Sequence, residues 1–179
     1  MIIGIFVDIQ NDFVNGALGT PEARAIIPYI KKESHSKAYD FLIFTQDWHD
    51  VVAERYTIEM SRVPYHTRAK HPGAVIVPGL IPVGETNWRV VQKQTFGSLA
   101  LPDILMNEAY NYGEDITEIH IMGLCTDICV ISNALILRSA FPSVPIYVHA
   151  NGCAGTTPEN HESALKVMQS CLIDIYEEV

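Results

Sequence analysis

Apolar and polar residues along this chain fall into blocks whose lengths switch between those of strands and those of helices. Ile2–Asp8 is a continuous apolar run ending in an acid, the pattern of a strand buried on both faces. Thr20-Pro21-Glu22 combines an N-cap, a proline in the first turn and an early acid, which predicts a helix running to about Ala38. Phe41–Thr45 is the second predicted strand. Ser61–Ala74 has an irregular composition with two histidines and reads as a long functional loop. Asn87–Gln92 is the third strand, followed by a helix near Leu101–Tyr110. Glu118–Leu124 is the fourth, and Ile128–Phe141 a helix apolar nearly all round, hence central. Val144–His149 is the fifth strand, Thr157-Pro158-Glu159 opens another helix, and Leu172–Tyr176 closes with the sixth strand. This alternation predicts an α/β fold: a three-layer α/β/α, Rossmann-type arrangement around a doubly wound, mainly parallel six-stranded sheet. No internal repeat or linker divides it, so residues 1–179 are read as one domain.

Composition narrows the class. Apolar residues make up 48% of the 179 and charged residues 18%, which suits a packed core rather than disorder. A net charge of −9 excludes a basic stripe of the kind that neutralises phosphates, so no nucleic-acid partner is expected. Arg62, Arg68 and Lys70 are the nearest approach to a basic cluster and read as a solvated face. No apolar run reaches the length of a membrane span, and no basic leader precedes the first strand, so the expectation is a cytoplasmic protein. In that compartment Cys125, Cys129, Cys153 and Cys171 are expected to be free thiols, with Cys153 and Cys171 buried.

The segment Gly123-Leu124-Cys125-Thr126-Asp127-Ile128-Cys129-Val130 closes a strand and opens a helix. Thr126 fits an N-cap, which places Cys129 at the third helical position among unpaired backbone N–H groups. Those groups and the helix dipole favour a thiolate, so Cys129 is a candidate nucleophile. The competing reading is an inert buried cysteine. Cys125 and Cys129 lie four apart, not in the spacing of a zinc ribbon or redox pair.

In doubly wound sheets, ligands bind beyond the carboxyl ends of the strands. Asp8 ends the first predicted strand, Asp47-Trp48-His49 follows the second, Lys93 the third, and Cys125 to Cys129 the fourth. Four strands thus deliver an acid, a metal-type pair, a cation and a thiol to one edge. An Asp-x-His pair leaving a strand points both side chains the same way.

Together these residues resemble the isochorismatase-like cysteine hydrolases, and within them the nicotinamidases. Asp8-Ile9-Gln10-Asn11-Asp12-Phe13 with Gly16-Ala17-Leu18 resembles the family's opening motif, and Thr45-Gln46-Asp47-Trp48-His49 its metal motif. Pro64-Tyr65-His66 is similar to the segment that supplies a third ligand, and the cysteine segment to the nucleophile motif. The resemblance implies a catalytic triad of Asp8, Lys93 and Cys129, with Asp8 as general base then acid. It implies an oxyanion hole from the backbone N–H groups of Cys125 and Cys129, and a cis Leu124–Cys125 peptide. It implies metal ligation by Asp47, His49 and His66. One divalent ion is expected, with zinc placed first and iron or manganese also suited to these donors. His71 is the rival to His66, while His35, His120, His149 and His161 read as structural.

Three positions depart from the nicotinamidase pattern. Val63 stands where an aromatic before Pro-x-His often walls the ring pocket, which leaves Phe13 and Trp48 as the expected substrate-binding aromatics. Thr67 stands where cysteine is common, and Ile128 where tyrosine is frequent. The leading expectation is hydrolysis of nicotinamide to nicotinate and ammonia, a step of NAD salvage. The alternatives are a related cysteine hydrolase of another small amide or carbamoyl compound, and a non-catalytic binding module on the same fold. A small-molecule amide is the expected partner, with no membrane contact, and self-association into a homo-oligomer is a further expectation.

Overall fold

In the computed structural model, which describes residues 1–50 and 57–177, the apolar runs become the strands of one sheet. β1 (Ile2–Val7) is central, between β2 (Phe41–Asp47) and β4 (Glu118–Leu124). β3 (Trp88–Lys93) lies outside β2, while β5 (Ile146–Ala154) and β6 (Asp174–Tyr176) extend the sheet beyond β4. All five pairings are parallel, so the sheet is more uniform than the mainly parallel one predicted. Ile5 and Phe6 point to opposite faces of β1 and are both fully buried, so both faces are covered by helices.

The helices are α1 (Asn11–Val14), α2 (Pro21–Ala25), α3 (Ile27–Ser34), α4 (Ile58–Arg62), α5 (Leu101–Tyr112), α6 (Ile131–Ala140) and α7 (Pro158–Ser170). The chain winds outward from β1 in both directions, and its switch point lies between β1 and β4. Among the described residues, no helix is long and apolar enough to cross a membrane.

Several boundaries differ from the pattern-based expectation. The helix expected to run to Ala38 is broken at Ile26 and ends at Ser34. Pro28 is the cause: it has no N–H to give to the carbonyl of Arg24, so a new helix must start around it. Asp47 and Lys93 are the last residues of their strands rather than followers, and they are register partners. β5 runs past His149 to Ala154 through a register shift opposite Ile121–Gly123 on β4. There Gly123 adopts φ 142°, and a Cβ on it would lie 2.2 Å from the Val7 carbonyl oxygen, so only glycine fits. The irregular loop predicted over Ser61–Ala74 holds the end of α4 and a 3₁₀ turn at Pro72–Ala74.

The structural histidines include an extended relay. Tyr29 Oη lies 2.7 Å from His149 Nδ1, His149 Nε2 2.9 Å from His120 Nδ1, and His120 Nε2 3.1 Å from Glu118. The rings of Tyr39 and Tyr147 pack on His120, and that of Tyr176 on His149. Burial, and then the neighbouring His120, push the His149 pKa down to about 3 from 6.5. The fold therefore holds this imidazole neutral while the unfolded chain protonates it. Its stabilisation is complete above the unfolded value and drains away as pH falls towards 3. His149 alone is expected to make the protein about 2 kcal/mol less stable at pH 5 than at pH 7. Urea unfolding of the parent and His149→Gln at both pH values checks this. Identical pH slopes would refute it.

Candidate active site

The carboxyl edge of the sheet gathers the polar residues. β2 separates β3 from β1, and Lys93 reaches across its end to place Nζ 2.6 Å from Asp8 Oδ2. The same ammonium lies 3.7 Å from Cys129 Sγ and 3.5 Å from Asp47 Oδ1. Asp8 is fully buried, and Lys93 and Cys129 are nearly so. Buried charges persist only when paired and hydrogen-bonded, and here one cation serves two carboxylates. Asp8 turns out of β1 with φ 52°, a left-handed conformation that aspartate tolerates better than most residues. Thr45 holds that turn: its hydroxyl donates to Asp8 Oδ1 at 2.7 Å and accepts from the Asp8 N–H at 3.1 Å.

These charges tune one another. Burial raises the Asp8 carboxyl, with Asp47 adding to the rise and Lys93 opposing it. Burial works against the Lys93 ammonium, but Asp8, Cys129 and Asp47 outweigh it and raise its pKa. The Cys129 thiol is pushed well above its ordinary value, first by burial and then by Asp8, against the pull of Lys93. This corrects the expectation of a resting thiolate. The resting group is a thiol within reach of a carboxylate that can accept its proton.

The turn carrying Cys129 also differs from expectation. Thr126 does not cap it; its hydroxyl pairs with His161 Nδ1 at 2.8 Å instead. Thr126–Val130 forms a π-turn in which the N–H groups of both Ile128 and Val130 donate to the Cys125 carbonyl at 3.1 Å. Cys129 is therefore the fourth residue of a widened turn. Such bulges re-aim side chains and recur at functional sites. The preceding Leu124–Cys125 peptide is cis. Asn133, one turn further on, donates to the Cys129 carbonyl at 2.8 Å and accepts from the Ser98 N–H at 2.9 Å, tying α6 to the segment after β3.

Beside this group, Asp47, His49 and His66 bring one ligand atom each within 4.8 Å of one another, all buried. Asp47 Oδ2 lies 3.0 Å from His49 Nε2 and 3.5 Å from His66 Nε2. The Pro64 carbonyl lies 2.7 Å from His66 Nδ1, an arrangement that fixes the proton there and leaves Nε2 to face inward. A carboxylate and two imidazoles at this spacing fit a divalent cation. Burial would raise Asp47, but hydrogen bonds from His49 and His66 and the charge of Lys93 hold it well below the carboxylate range. Burial would lower His66, but Asp47, Glu59 and the Pro64 carbonyl push it up to about 10, so uptake of a cation must displace a proton. His71 lies outside the cluster and accepts from the Gly73 N–H as the cap of the 3₁₀ turn.

A cavity of about 380 Å³ opens over both groups. Phe13, Leu18, Val63, Phe96 and Ile128 form its apolar walls, and Thr20 and Thr156 add hydroxyls. Asp47, Glu59, His66, Cys125 and Cys129 supply its chemistry. Phe13 also packs on the His66 ring at 5.6 Å. Trp48 is not among the lining residues. It faces a separate cleft with Gln92, Gln94 and Thr95, because alternation turns it away from Asp47 and His49. Sequence reasoning missed Phe96 and Glu59. Glu59 Oε1 lies 3.8 Å from His49 Nε2 and 3.6 Å from His66 Nε2, a fourth donor atom beside the cluster. The N-cap pattern of Thr57, whose hydroxyl accepts from the Met60 N–H, could have revealed its helix. Cys171 is half-buried rather than buried.

Residues 3–177 match the Isochorismatase domain. The chain belongs to the isochorismatase family. Among solved members, this isochorismatase-family chain is similar to the nicotinamidase PncA from Bacillus subtilis, with 30% identity, a TM-score of 0.82, and 98% of this chain and 99% of that one covered. It is also similar to the pyrazinamidase of Pyrococcus horikoshii in complex with zinc, with 25% identity, a TM-score of 0.81 and 99% of each chain covered. An uncharacterized isochorismatase family protein, PncA of Bacillus subtilis (strain 168), is 28% identical over 172 residues, 90% of each chain. With these relatives and a cavity of about 380 Å³ over a buried thiol, the isochorismatase-family chain is an amide-bond hydrolase.

Proposed function

We propose that the chain is a cytoplasmic, single-domain cysteine amidohydrolase that converts nicotinamide to nicotinate and ammonia, with one divalent ion, zinc first, as its cofactor. The observation that carries this reading is the Lys93 ammonium, 2.6 Å from Asp8 and 3.7 Å from Cys129, under a mainly apolar cavity beside the Asp47–His49–His66 cluster. Asp8 takes the Cys129 proton as sulfur attacks the amide carbon. The carbonyl π electrons move to oxygen, and the backbone N–H groups of Cys125 and Cys129 donate hydrogen bonds to the oxyanion that forms. The carbon–nitrogen bond then breaks, Asp8 returns the proton to nitrogen, and ammonia leaves a thioester. Asp8 next takes a proton from water as that oxygen attacks the thioester carbon. The carbon–sulfur bond breaks as the carbonyl re-forms, Asp8 gives its proton to sulfur, and the acid leaves as nicotinate with its carboxyl proton lost to solvent. Lys93 stays charged throughout and steadies Asp8 and the transient sulfur charge.

Asp47, His49 and His66 would hold the ion, with Glu59 beside them. When bound, the ion supplies a Lewis-acid point for the pyridine nitrogen, which fixes where the ring sits. Phe13 and Phe96 offer aromatic surface in place of the missing aromatic at Val63. The test is ammonia release from nicotinamide by zinc-loaded protein, beside a panel of neutral aliphatic amides and N-carbamoyl amino acids. Turnover of nicotinamide well above the panel is expected. No release from nicotinamide, with release from a carbamoyl compound, would transfer the reading to a related amidase.

A further inference from the structure

Thr67 is a β-branched residue at φ 40°, a conformation such residues rarely adopt, and it is fully buried. Three hydrogen bonds hold it there. The hydroxyl donates to Asp47 Oδ2 at 2.6 Å, the carbonyl accepts from the His49 N–H at 3.1 Å, and the N–H donates to Asp12 Oδ2 at 2.8 Å. Its N-terminal neighbour is His66. One residue therefore joins all three ligands of the cluster: Asp47 through its side chain, His49 through its backbone, His66 through the peptide bond.

The Asp47 carboxylate has two competing attractions. Its Oδ2 faces the imidazoles, at 3.0 Å and 3.5 Å, while Oδ1 lies 3.5 Å from Lys93 Nζ. The Asp47 backbone is fixed separately, since Gln10 accepts from its N–H and donates to its carbonyl, each at 2.8 Å. What is left free is rotation of the carboxylate. The Thr67 hydroxyl has one proton to give, and giving it to Oδ2 occupies one lone pair and leaves the other towards the imidazoles.

We propose that Thr67 is a positioning residue that sets the Asp47 carboxylate for a divalent cation and keeps it from swinging wholly to Lys93. This rests on the reading that Asp47, His49 and His66 hold such an ion. The experiment is a zinc titration of metal-stripped protein against a chromophoric chelator, for the parent, Thr67→Ser and Thr67→Ala. Both substitutions remove the β-branch and relax the left-handed backbone, so they differ only in the hydroxyl. Thr67→Ala is expected to bind zinc about 10–100-fold more weakly, and Thr67→Ser to stay within about threefold of the parent. Thermal unfolding of the stripped proteins measures separately what the lost hydrogen bond to the buried carboxylate costs in stability. The zinc titration is run well below both melting temperatures, so that affinity is compared between folded sites. Equal zinc affinity in Ser and Ala variants overturns the role of Thr67 alone. A parent that takes up no zinc overturns the ion site, and this role with it.

Discussion

Cys129→Ala is expected to reduce ammonia release from the preferred amide by about 10⁴-fold or more, with substrate binding retained. The expectation follows from where the sulfur sits. It is buried beneath the cavity, and the neighbours that could activate anything else, Asp8 and Lys93, are turned on it. Alanine removes the thiol that Asp8 and Lys93 are turned on, yet leaves the apolar walls untouched. Cys129→Ser should lose nearly as much, because an alcohol gives up its proton far less readily than a thiol. The raised thiol pKa adds a second signature. Iodoacetamide should label Cys129 of the resting protein more slowly than an ordinary exposed thiol at pH 7, and faster as pH rises. Turnover by Cys129→Ala above about a tenth of the parent rate would exclude a covalent route through this residue.

Much of this arrangement could be read from the chain because parallel α/β topology leaves few choices. A strand ending in Asp8, another ending at Asp47 and a third at Lys93 all run the same way, so their last residues must meet at one edge. That step needs only the direction of the strands, and apolar runs such as Ile2–Val7 supply it. The same alternation that pairs Asp47 with His49 also turns Trp48 away. Trp48 therefore lines a neighbouring cleft with Gln92, Lys93 and Gln94 rather than the cavity over Cys129.

What escaped the sequence depended on contacts between distant segments. The thiol of Cys129 was expected to be acidic from its place near a helix start, a local argument. Burial and the Asp8 carboxylate, brought from the far end of the chain, reverse the sign. Thr126 is a good cap by residue type, yet its hydroxyl finds His161 on α7, and the turn widens instead. Glu59 and Phe96 are unremarkable in sequence and become part of the cavity only because α4 and the segment after β3 fold over the sheet edge. Local propensity reads elements well and loses authority wherever a tertiary partner competes for the same hydrogen bond.

Lys93→Met tests the charge arrangement itself, and its cost is expected in stability as well as in rate. The ammonium is 2.6 Å from Asp8 and 3.5 Å from Asp47, and both carboxylates are buried. Removing it leaves Asp8 buried without a counter-charge and Asp47 with the imidazoles of His49 and His66 alone, a change worth about 3–5 kcal/mol at neutral pH. Amide hydrolysis should fall by about 10³-fold or more, since the sulfur charge that forms on attack loses its nearest cation. The pH dependence has a definite sign. Burial and Asp47 already raise Asp8, and losing Lys93 removes what opposes them. A group whose folded pKa is raised contributes stability below its unfolded value and loses it as pH rises, so the variant should be less impaired at pH 5 than at pH 8. Adding Asp8→Asn should restore most of the stability and none of the activity, because the pair is then replaced by neutral groups of similar shape. Urea unfolding of the single and double variants at both pH values separates the contributions. A single variant as stable as the parent at pH 8 would mean that Asp8 and Asp47 do not both carry charge in the folded protein, and the proton route from Cys129 to Asp8 would need another acceptor.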